Sequence, residues 1–368
     1  MWAMALKEFR QMRRDRRTLA LMIVLPLLFL FVFGYAASFD VDKVRTVVVG
    51  PLAHQVAGRL PGQLDVVETR ADLGHDDAVR RLRDGRAVVA VVTAAPDPGQ
   101  SPPPPRVLVD GADLFSARAV VTALGQRPEL GRPEVLFNPD LKTSAIMVPG
   151  LVGVILVFVG TVITSLGVVR ERQSGTLEQL AVMPFRPRQV LAGKIVPYFG
   201  VAAVDLTVIL LLGMALFDVP FAGSPLVFAL GAVLFLFVTL GVGVLISTVS
   251  ENQAQAIQLA MMSLLPQILL SGLIFPLAAM PAWVRWIGSV LPLTYFIQIS
   301  RAVMVRGAPL QALWLQLSAL AVLGVVVFTA SVARFRRDLA PSGRGAAGAE
   351  AGPEPATAAS PELRSGVR

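Results

Sequence analysis

Residues 143–169 read TSAIMVPGLVGVILVFVGTVITSLGVV and contain no charged residue. A helix that crosses a membrane needs roughly 20 apolar residues, because the hydrocarbon core of a bilayer is about 30 Å thick. This stretch is long enough to cross, and it therefore predicts a membrane-spanning helix.

The same pattern recurs along the chain. Five further stretches, at 19–39, 195–217, 219–250, 252–284 and 307–333, are uncharged apart from Asp205. Hydrophobic residues make up 54% of the 368 residues and charged residues only 16%, whereas soluble proteins usually have about 25% charged residues. We predict an all-α polytopic membrane protein with six transmembrane helices, at 19–39, 144–169, 194–217, 226–249, 255–276 and 310–333.

Several functional classes are disfavoured by what the chain lacks. It has no cysteine, and His54 and His75 have no second histidine at ligand spacing, so we predict no metal site. The net charge of +8 is concentrated at span ends, where basic residues set orientation, so we predict no nucleic-acid partner. Hydrolase motifs are missing, and Gly193-Lys194 is followed by Ile195 where a phosphate-binding loop has Ser or Thr. We predict that the chain is not an enzyme and binds no cofactor itself.

The N-terminal residues 1–18 are typical of an amphipathic helix on a membrane surface, with apolar residues three and four positions apart among basic ones. A cleaved signal peptide ending near residues 36–38 is the alternative, although its apolar part would be long and five spans follow. The C-terminal residues 338–368 are rich in Ala, Gly, Pro and Ser, and we predict a disordered tail there.

The distribution of lysine and arginine predicts the orientation. With the N-terminus in the cytoplasm, the short cytoplasmic flanks hold 14 of these residues and the opposite flanks hold three. Basic residues favour the cytoplasmic side of short loops. We therefore place both termini inside, in a bacterial inner membrane, and residues 40–142 outside the cytoplasm.

Residues 40–142 are predicted to form an extracytoplasmic α/β domain. β-branched residues predict strands at 46–50, 64–68, 87–92 and 106–109, with helices at 78–83 and 112–124. The proline-rich stretch 96–105 predicts a stiff loop within this domain.

Residues 277–306 are predicted to form short re-entrant helices. Prolines at 276, 281 and 292 divide this region into apolar pieces that are too short to cross a bilayer. Such pieces are tolerated in a membrane where protein surrounds them. Trp283, Trp286 and Tyr295 suit a membrane interface.

A charged link joins two of the predicted spans. Residues 170–180 read RERQSGTLEQL. Gly175 interrupts the helix of the preceding span, Thr176 is a candidate N-cap, and Leu177 and Leu180 share a face. The pattern predicts a short helix at 171–184, parallel to the membrane and tied to both spans. The alternative is a basic loop that only satisfies the charge rule.

Asp205 is the one charged residue inside a predicted span. It lies about 16 Å past Lys194 along a helix, near the bilayer midplane, where a carboxylate costs at least about 3 kcal/mol. We predict a polar contact on a substrate pathway, with Gln258 or Gln267 as partner. A purely structural carboxyl group is the alternative.

The charged link is the first of several motifs between residues 170 and 307. The others are MP (183–184), GKIVPY (193–198), LP (265–266), SGLIFP (271–276), MPAW (280–283), LPLTYF (291–296) and RAVMVRG (301–307). In this order and spacing they resemble the type-2 ATP-binding-cassette (ABC) exporter permeases. A large domain after the first span also fits that family.

The resemblance implies partners and site residues. It implies a subunit that pairs with a second copy or a related permease in the bilayer and binds two cytoplasmic ABC ATPase subunits, which hold ATP and Mg. Residues of the charged link would form the coupling helix that docks on the ATPase: Glu171, Arg172, Gly175, Thr176, Leu177, Glu178, Gln179, Leu180 and Pro184. Other residues would form an outer gate: Gly272, Phe275, Pro276, Pro281 and Pro292.

The resulting hypothesis is export of an amphipathic drug, antibiotic or lipid-like molecule. Export of a lipid or glycolipid is an alternative within the family, and the size of the domain at 40–142 favours small-molecule efflux. A scaffold or sensor without transport is an alternative of a different class. An intramembrane enzyme is disfavoured because no paired catalytic groups occur.

Overall fold

The computed structural model describes Leu27, residues 43–174 except 97, 99–101, 126, 128 and 129, and residues 187–339. Side chains at 187–192, 194 and 335–339 are not described. The predicted surface helix at 1–18, the first span apart from Leu27, and the tail beyond 339 lie outside the described residues.

The first part of the described chain is a five-stranded sheet with helices on both faces. Strands β1, β2 and β3 run parallel, β4 is antiparallel to β3, and β5 is parallel to β4. The strand order is β2-β1-β3-β4-β5. The elements in chain order are β1 (Val44–Val49), α1 (Ala53–Ala57), β2 (Leu64–Arg70), α2 (His75–Arg83), β3 (Val89–Val92), β4 (Arg106–Asp110), α3 (Leu114–Gly125) and β5 (Pro133–Leu136).

Valine dominates the central strands because both faces of the sheet are covered. Val48 and Val91 pack beneath α1 and α3, and Val47 and Ala90 pack beneath α2. The four predicted strands are confirmed. Helix α1 and strand β5 are not among the elements predicted from the sequence. Proline is unusual in a strand, and β5 begins with proline because it lies at the sheet edge, where a missing N–H is tolerated.

The remaining chain is helical. Its elements are α4 (Thr143–Phe158), a π-helical turn (Val159–Ile163), α5 (Thr164–Gln173), α6 (Pro187–Phe217), α7 (Pro225–Val249), α8 (Gln253–Leu270), α9 (Ala282–Val290), α10 (Pro292–Met304) and α11 (Trp314–Leu339). Four stretches in the described chain are long and apolar enough to cross a membrane: Thr143–Gln173, Ile195–Phe217, Pro225–Val249 and Trp314–Arg334. The pair α9 and α10, bent by 85°, would add a fifth if it formed one span.

Helix α7 lies at the centre of this part and packs against α5, α10 and α11. Phe235 of α7 stacks on Phe296 of α10, with ring centroids 4.3 Å apart. By contrast, α6 and α11 expose apolar side chains outward, among them Val204 at 65% and Val325 at 66%. Exposed apolar faces of this extent suit contact with lipid. The described chain is thus a mostly helical protein with several candidate membrane spans and a small α/β unit.

Two predicted spans differ from the helices that form. Helix α8 ends at Leu270, short of the predicted end at 276, and it is not among the candidate spans. Gly272 has φ +85°, a left-handed conformation that ends a helix and favours glycine. Helix α11 begins at Trp314 rather than at 310, because a 3-10 turn at Leu310–Ala312 follows Pro309.

Candidate functional site

The end of α5 is joined by hydrogen bonds to the junction between α7 and α8. Arg172 Nη1 donates to the carbonyl oxygen of Ser250 at 3.3 Å. Gln253 Nε2 donates to Gln173 Oε1 at 3.0 Å. A displacement of the α5 end would therefore act on α7 and α8 together.

The junction itself is held by local caps. Asn252 Oδ1 accepts the backbone N–H of Gln255 at 2.9 Å and caps α8. Gln255 Oε1 accepts the N–H of Glu251 at 2.7 Å. Of the predicted coupling residues, Glu171 and Arg172 lie at the end of α5. Gly175, Thr176, Leu177, Glu178, Gln179, Leu180 and Pro184 lie outside the described residues.

The predicted outer-gate residues lie in and beside the turn that follows α8. Gly272 begins the turn and Phe275 is buried in a small apolar cluster with Leu269, Met280 and Val284. The three prolines occupy helix starts, where a missing N–H costs little: Pro276 precedes the 3-10 turn Leu277–Ala279, Pro281 precedes α9, and Pro292 opens α10.

Side-chain hydrogen bonds fix the sharp bend between α9 and α10. Thr294 Oγ1 donates to the carbonyl oxygen of Gly288 at 2.7 Å, and the Tyr295 hydroxyl donates to that of Ser289 at 2.5 Å. A Cβ atom on Gly288 would lie 2.5 Å from the carbonyl oxygen of Leu270. Glycine there lets α9 pack directly on the end of α8.

Arg301 of α10 connects the turn to α4. Its Nη1 donates to the carbonyl oxygen of Gly272 and its Nε donates to that of Ile146, both at 3.3 Å. No carboxylate of the described residues lies within 4 Å of its guanidinium. In the sequence, Arg301 is one of the three basic residues of the outer flanks and the first residue of the motif RAVMVRG, and neither feature indicates this contact.

Arg306, just beyond α10, connects the helical part to the sheet. Its Nη1 donates to Asp110 Oδ2 at 3.2 Å, and Asp110 is 1% exposed. Asp110 Oδ1 also accepts the N–H of Ala112. Burial raises the pKa of Asp110 to about 6, and the charge of Arg306 opposes that rise.

The predicted polar contact of Asp205 does not form among the described residues. Asp205 is partly buried on α6, and no hydrogen bond joins it to Gln258 or Gln267 in the described part of the chain. Gln267 is buried and donates its Nε2 to Ser263 O in its own helix. A role of these residues in a substrate pathway stays a prediction.

Comparison with known proteins identifies the family. The model of the ABC-2 family transporter proteins matches residues 16–333, which is most of the chain. The chain belongs to the ABC-2 transporter family. This permease is a membrane transport subunit rather than a catalytic one, and membership implies an ATPase partner.

The permease resembles two proteins of Escherichia coli over nearly their whole length. It is 31% identical to the probable multidrug ABC transporter permease YbhS, over 83% of this chain and 88% of that one. It is 27% identical to the probable multidrug ABC transporter permease YbhR, over 92% and 98%. A Dictyostelium discoideum ABC transporter G family member 20 is 30% identical over 55% of this chain and 28% of that protein.

Proposed function

We propose that this permease exports amphipathic small molecules, such as drugs, antibiotics or lipid-like compounds, from the cytoplasm or inner leaflet. The similarity to permeases named as probable multidrug transporters, over nearly the whole chain, carries this proposal. The exposed apolar faces of α6 and α11 support a position in a bilayer.

The proposed assembly has two permease chains and two ATPase subunits. Each chain has six spans, with the first at 19–39 and both termini in the cytoplasm of a bacterial cell. Basic residues at span ends support this orientation. The sheet-containing part then lies outside, and the α5 end and the α7–α8 junction lie inside.

The contacts suggest how force from the ATPase would spread. ATP-driven closure of the partner would press on the coupling segment at 171–184 and move the α5 end. The bonds from Arg172 to Ser250 and from Gln253 to Gln173 would pass this movement to α7 and α8. Helix α8 leads directly to the turn at Gly272, which would act as the outer gate.

Glu178→Lys tests the coupling segment. Reversing the charge of this predicted docking residue should misalign the ATPase contact, because a charge that does not match its surroundings at an interface costs several kcal/mol. We expect drug export to fall at least about ten-fold, which corresponds to about 1.4 kcal/mol. Drug-stimulated ATPase activity should be lost as well. Both are measured on the permease reconstituted with its ATPase in vesicles.

The matched control is Asp65→Lys, the same reversal at an exposed position of the sheet-containing part. It should leave export and ATPase activity within about two-fold of the wild type, since surface charges contribute little. Normal coupled activity in Glu178→Lys would contradict the docking role of 171–184.

A further inference from the structure

A cavity of about 350 Å³ lies between the sheet-containing part and the helices. Arg45, Asp84 and Asp113 line it on one side, and Arg301, Arg306 and Gln316 line it on the other. Its volume falls within the range of small-molecule binding sites. The cavity contains neither the α5 end nor Asp205, and its lining includes Gly272 and Pro276 of the predicted outer gate.

The lining holds hydrogen-bonding capacity that the described residues do not use. Three buried atoms have no hydrogen-bond partner in the described part of the chain: Arg301 Nη2, Arg306 Nε and Gln316 Oε1. Arg306 has its counter-ion in Asp110, whereas Arg301 has only backbone carbonyl partners. A buried guanidinium is stabilised by an anion that accepts its remaining hydrogens. Arg301 is therefore the group in this cavity that an oxyanion would satisfy.

The rest of the lining limits the ligand. Leu114, Phe115, Ile146, Leu277 and Ile297 supply apolar wall, which suits a hydrocarbon or aromatic body. Asp84 and Asp113 lie in the same lining, and their carboxylates would repel a second negative charge on the ligand, whereas Arg45 there donates to the carbonyl oxygen of Gly85. The walls thus fit an amphipathic molecule with one negative charge.

We propose that this cavity binds an amphipathic molecule carrying a single carboxylate or phosphodiester, with Arg301 contacting the anionic group. The ligand could be a free acid or the headgroup of an anionic lipid, since both present the same oxyanion. Binding here requires neither the ATPase nor transport, so this inference goes beyond the proposed export function and can fail independently of it.

The test measures binding of 2-naphthoate to the full-length permease in phosphatidylcholine nanodiscs, without the ATPase. The neutral analogue 2-naphthamide has nearly the same shape and should bind at least about ten-fold more weakly, because it lacks the charge that Arg301 would pair with. Equal affinity for the two probes would overturn the proposal.

Three variants assign the binding to the cavity. Arg301→Gln should weaken 2-naphthoate at least about ten-fold and leave 2-naphthamide unchanged. Asp113→Asn should strengthen 2-naphthoate, since it removes a nearby negative charge. The control Arg285→Gln changes an exposed arginine on α9 outside the cavity and should have less than about a two-fold effect. Equal losses in Arg301→Gln and Arg285→Gln would contradict the assignment.

A further variant covers the case in which Arg301→Gln does not fold. Ala278 is exposed and lines the cavity, so Ala278→Trp adds bulk at its opening without removing a buried group. It should abolish 2-naphthoate binding, and binding like that of the wild type would overturn the proposal.

Nanodiscs containing phosphatidylglycerol distinguish the two sources of ligand. At matched surface charge, competition of phosphatidylglycerol with 2-naphthoate that occurs in the wild type and in Arg285→Gln but not in Arg301→Gln would identify a lipid headgroup as the occupant. Binding of 2-naphthoate that phosphatidylglycerol leaves unchanged would identify a free acid.

Discussion

At the scale of single residues, Arg306 joins two parts of the permease that are distant in sequence. Its partner Asp110 ends β4, in the middle of the α/β part, and is almost completely buried. Burying a carboxylate is costly unless it is paired and hydrogen-bonded. The Arg306 contact and the Ala112 N–H offset part of that cost, so this pair makes the attachment of the sheet sensitive to protonation.

The raised pKa of Asp110 gives that sensitivity a definite sign. Its pKa is about 6 in the folded permease and 3.8 as its ordinary value, so the folded state binds the proton more tightly than the unfolded chain. The contribution of Asp110 to the free energy of unfolding therefore falls as pH rises from about 4 to about 6 and is level above that. We expect Asp110→Asn to remove this component, measured as the thermal midpoint between pH 4 and 8 in detergent.

The control for this measurement is Asp65→Asn, at an exposed carboxylate, which should preserve the wild-type pH profile. Other carboxylates add their own slopes, so the informative quantity is the difference between wild type and variant. Identical profiles for the wild type and Asp110→Asn would show that this carboxyl does not titrate as the burial implies.

Contacts of this kind could not be predicted from sequence. The sequence shows Arg301 and Arg306 as basic residues of the outer flanks and as part of the motif RAVMVRG. It does not show their partners, because Ile146, Gly272 and Asp110 become neighbours only through the fold. The functional importance of the α5 end was easier to predict, since Arg172 and Gln173 lie at the boundary between an apolar run and a charged link. Even there, Ser250 and Gln253 as partners required the packing of α5 on α7 and α8.

At the scale of helices, glycine permits a close contact between α7 and the π-helical turn. A Cβ atom on Gly243 would lie 2.9 Å from the carbonyl oxygen of Thr161 and 3.0 Å from that of Gly160. Backbone atoms cannot move aside as a flexible side chain can. Small residues allow this approach where helices pack within a membrane.

Gly243→Ala should therefore destabilise the permease by about 1–3 kcal/mol, the usual cost of overpacking. The measurement is the thermal midpoint of the purified permease in detergent. Gly200→Ala on α6 is the matched control, because no atom lies within 4 Å of the Cβ position there. It should be neutral or stabilise by up to about 1 kcal/mol, since alanine favours helix. Equal midpoints for the two variants would contradict the close packing at Gly243.

The predicted and observed elements differ where local conformation overrides composition. The uncharged runs in the sequence predicted the positions of α4 to α5, of α6 and of α7, because length and apolar content determine whether a segment can span a membrane. The run at 252–284 gave no sign that its helix stops at Leu270. That end depends on the left-handed conformation of Gly272, and one glycine in an apolar run does not reveal its φ angle.

At the scale of the whole molecule, the orientation proposed from the charge rule determines which parts of the permease face each side of the membrane. If the sheet-containing part is outside, the cavity beneath it opens to the outside too, and the coupling segment and the α7–α8 junction face the ATPase. The reverse orientation would put the cavity and the ATPase on the same side. The cavity itself was not predictable, because its lining residues come from segments between Arg45 and Gln316.

The absence of cysteine from the chain makes the orientation directly measurable, since each introduced cysteine is the only thiol. Gln63→Cys is at an exposed position of the sheet-containing part, and Ala254→Cys is at an exposed position at the start of α8. In intact spheroplasts a membrane-impermeant maleimide should label Gln63→Cys, because the charge rule places that part outside. It should label Ala254→Cys only after the membrane is permeabilised. Labelling in the opposite order would show that the topology is the reverse of the proposed one. The segment at 171–184 would then lie on the side without ATP, and the proposed coupling mechanism would be wrong.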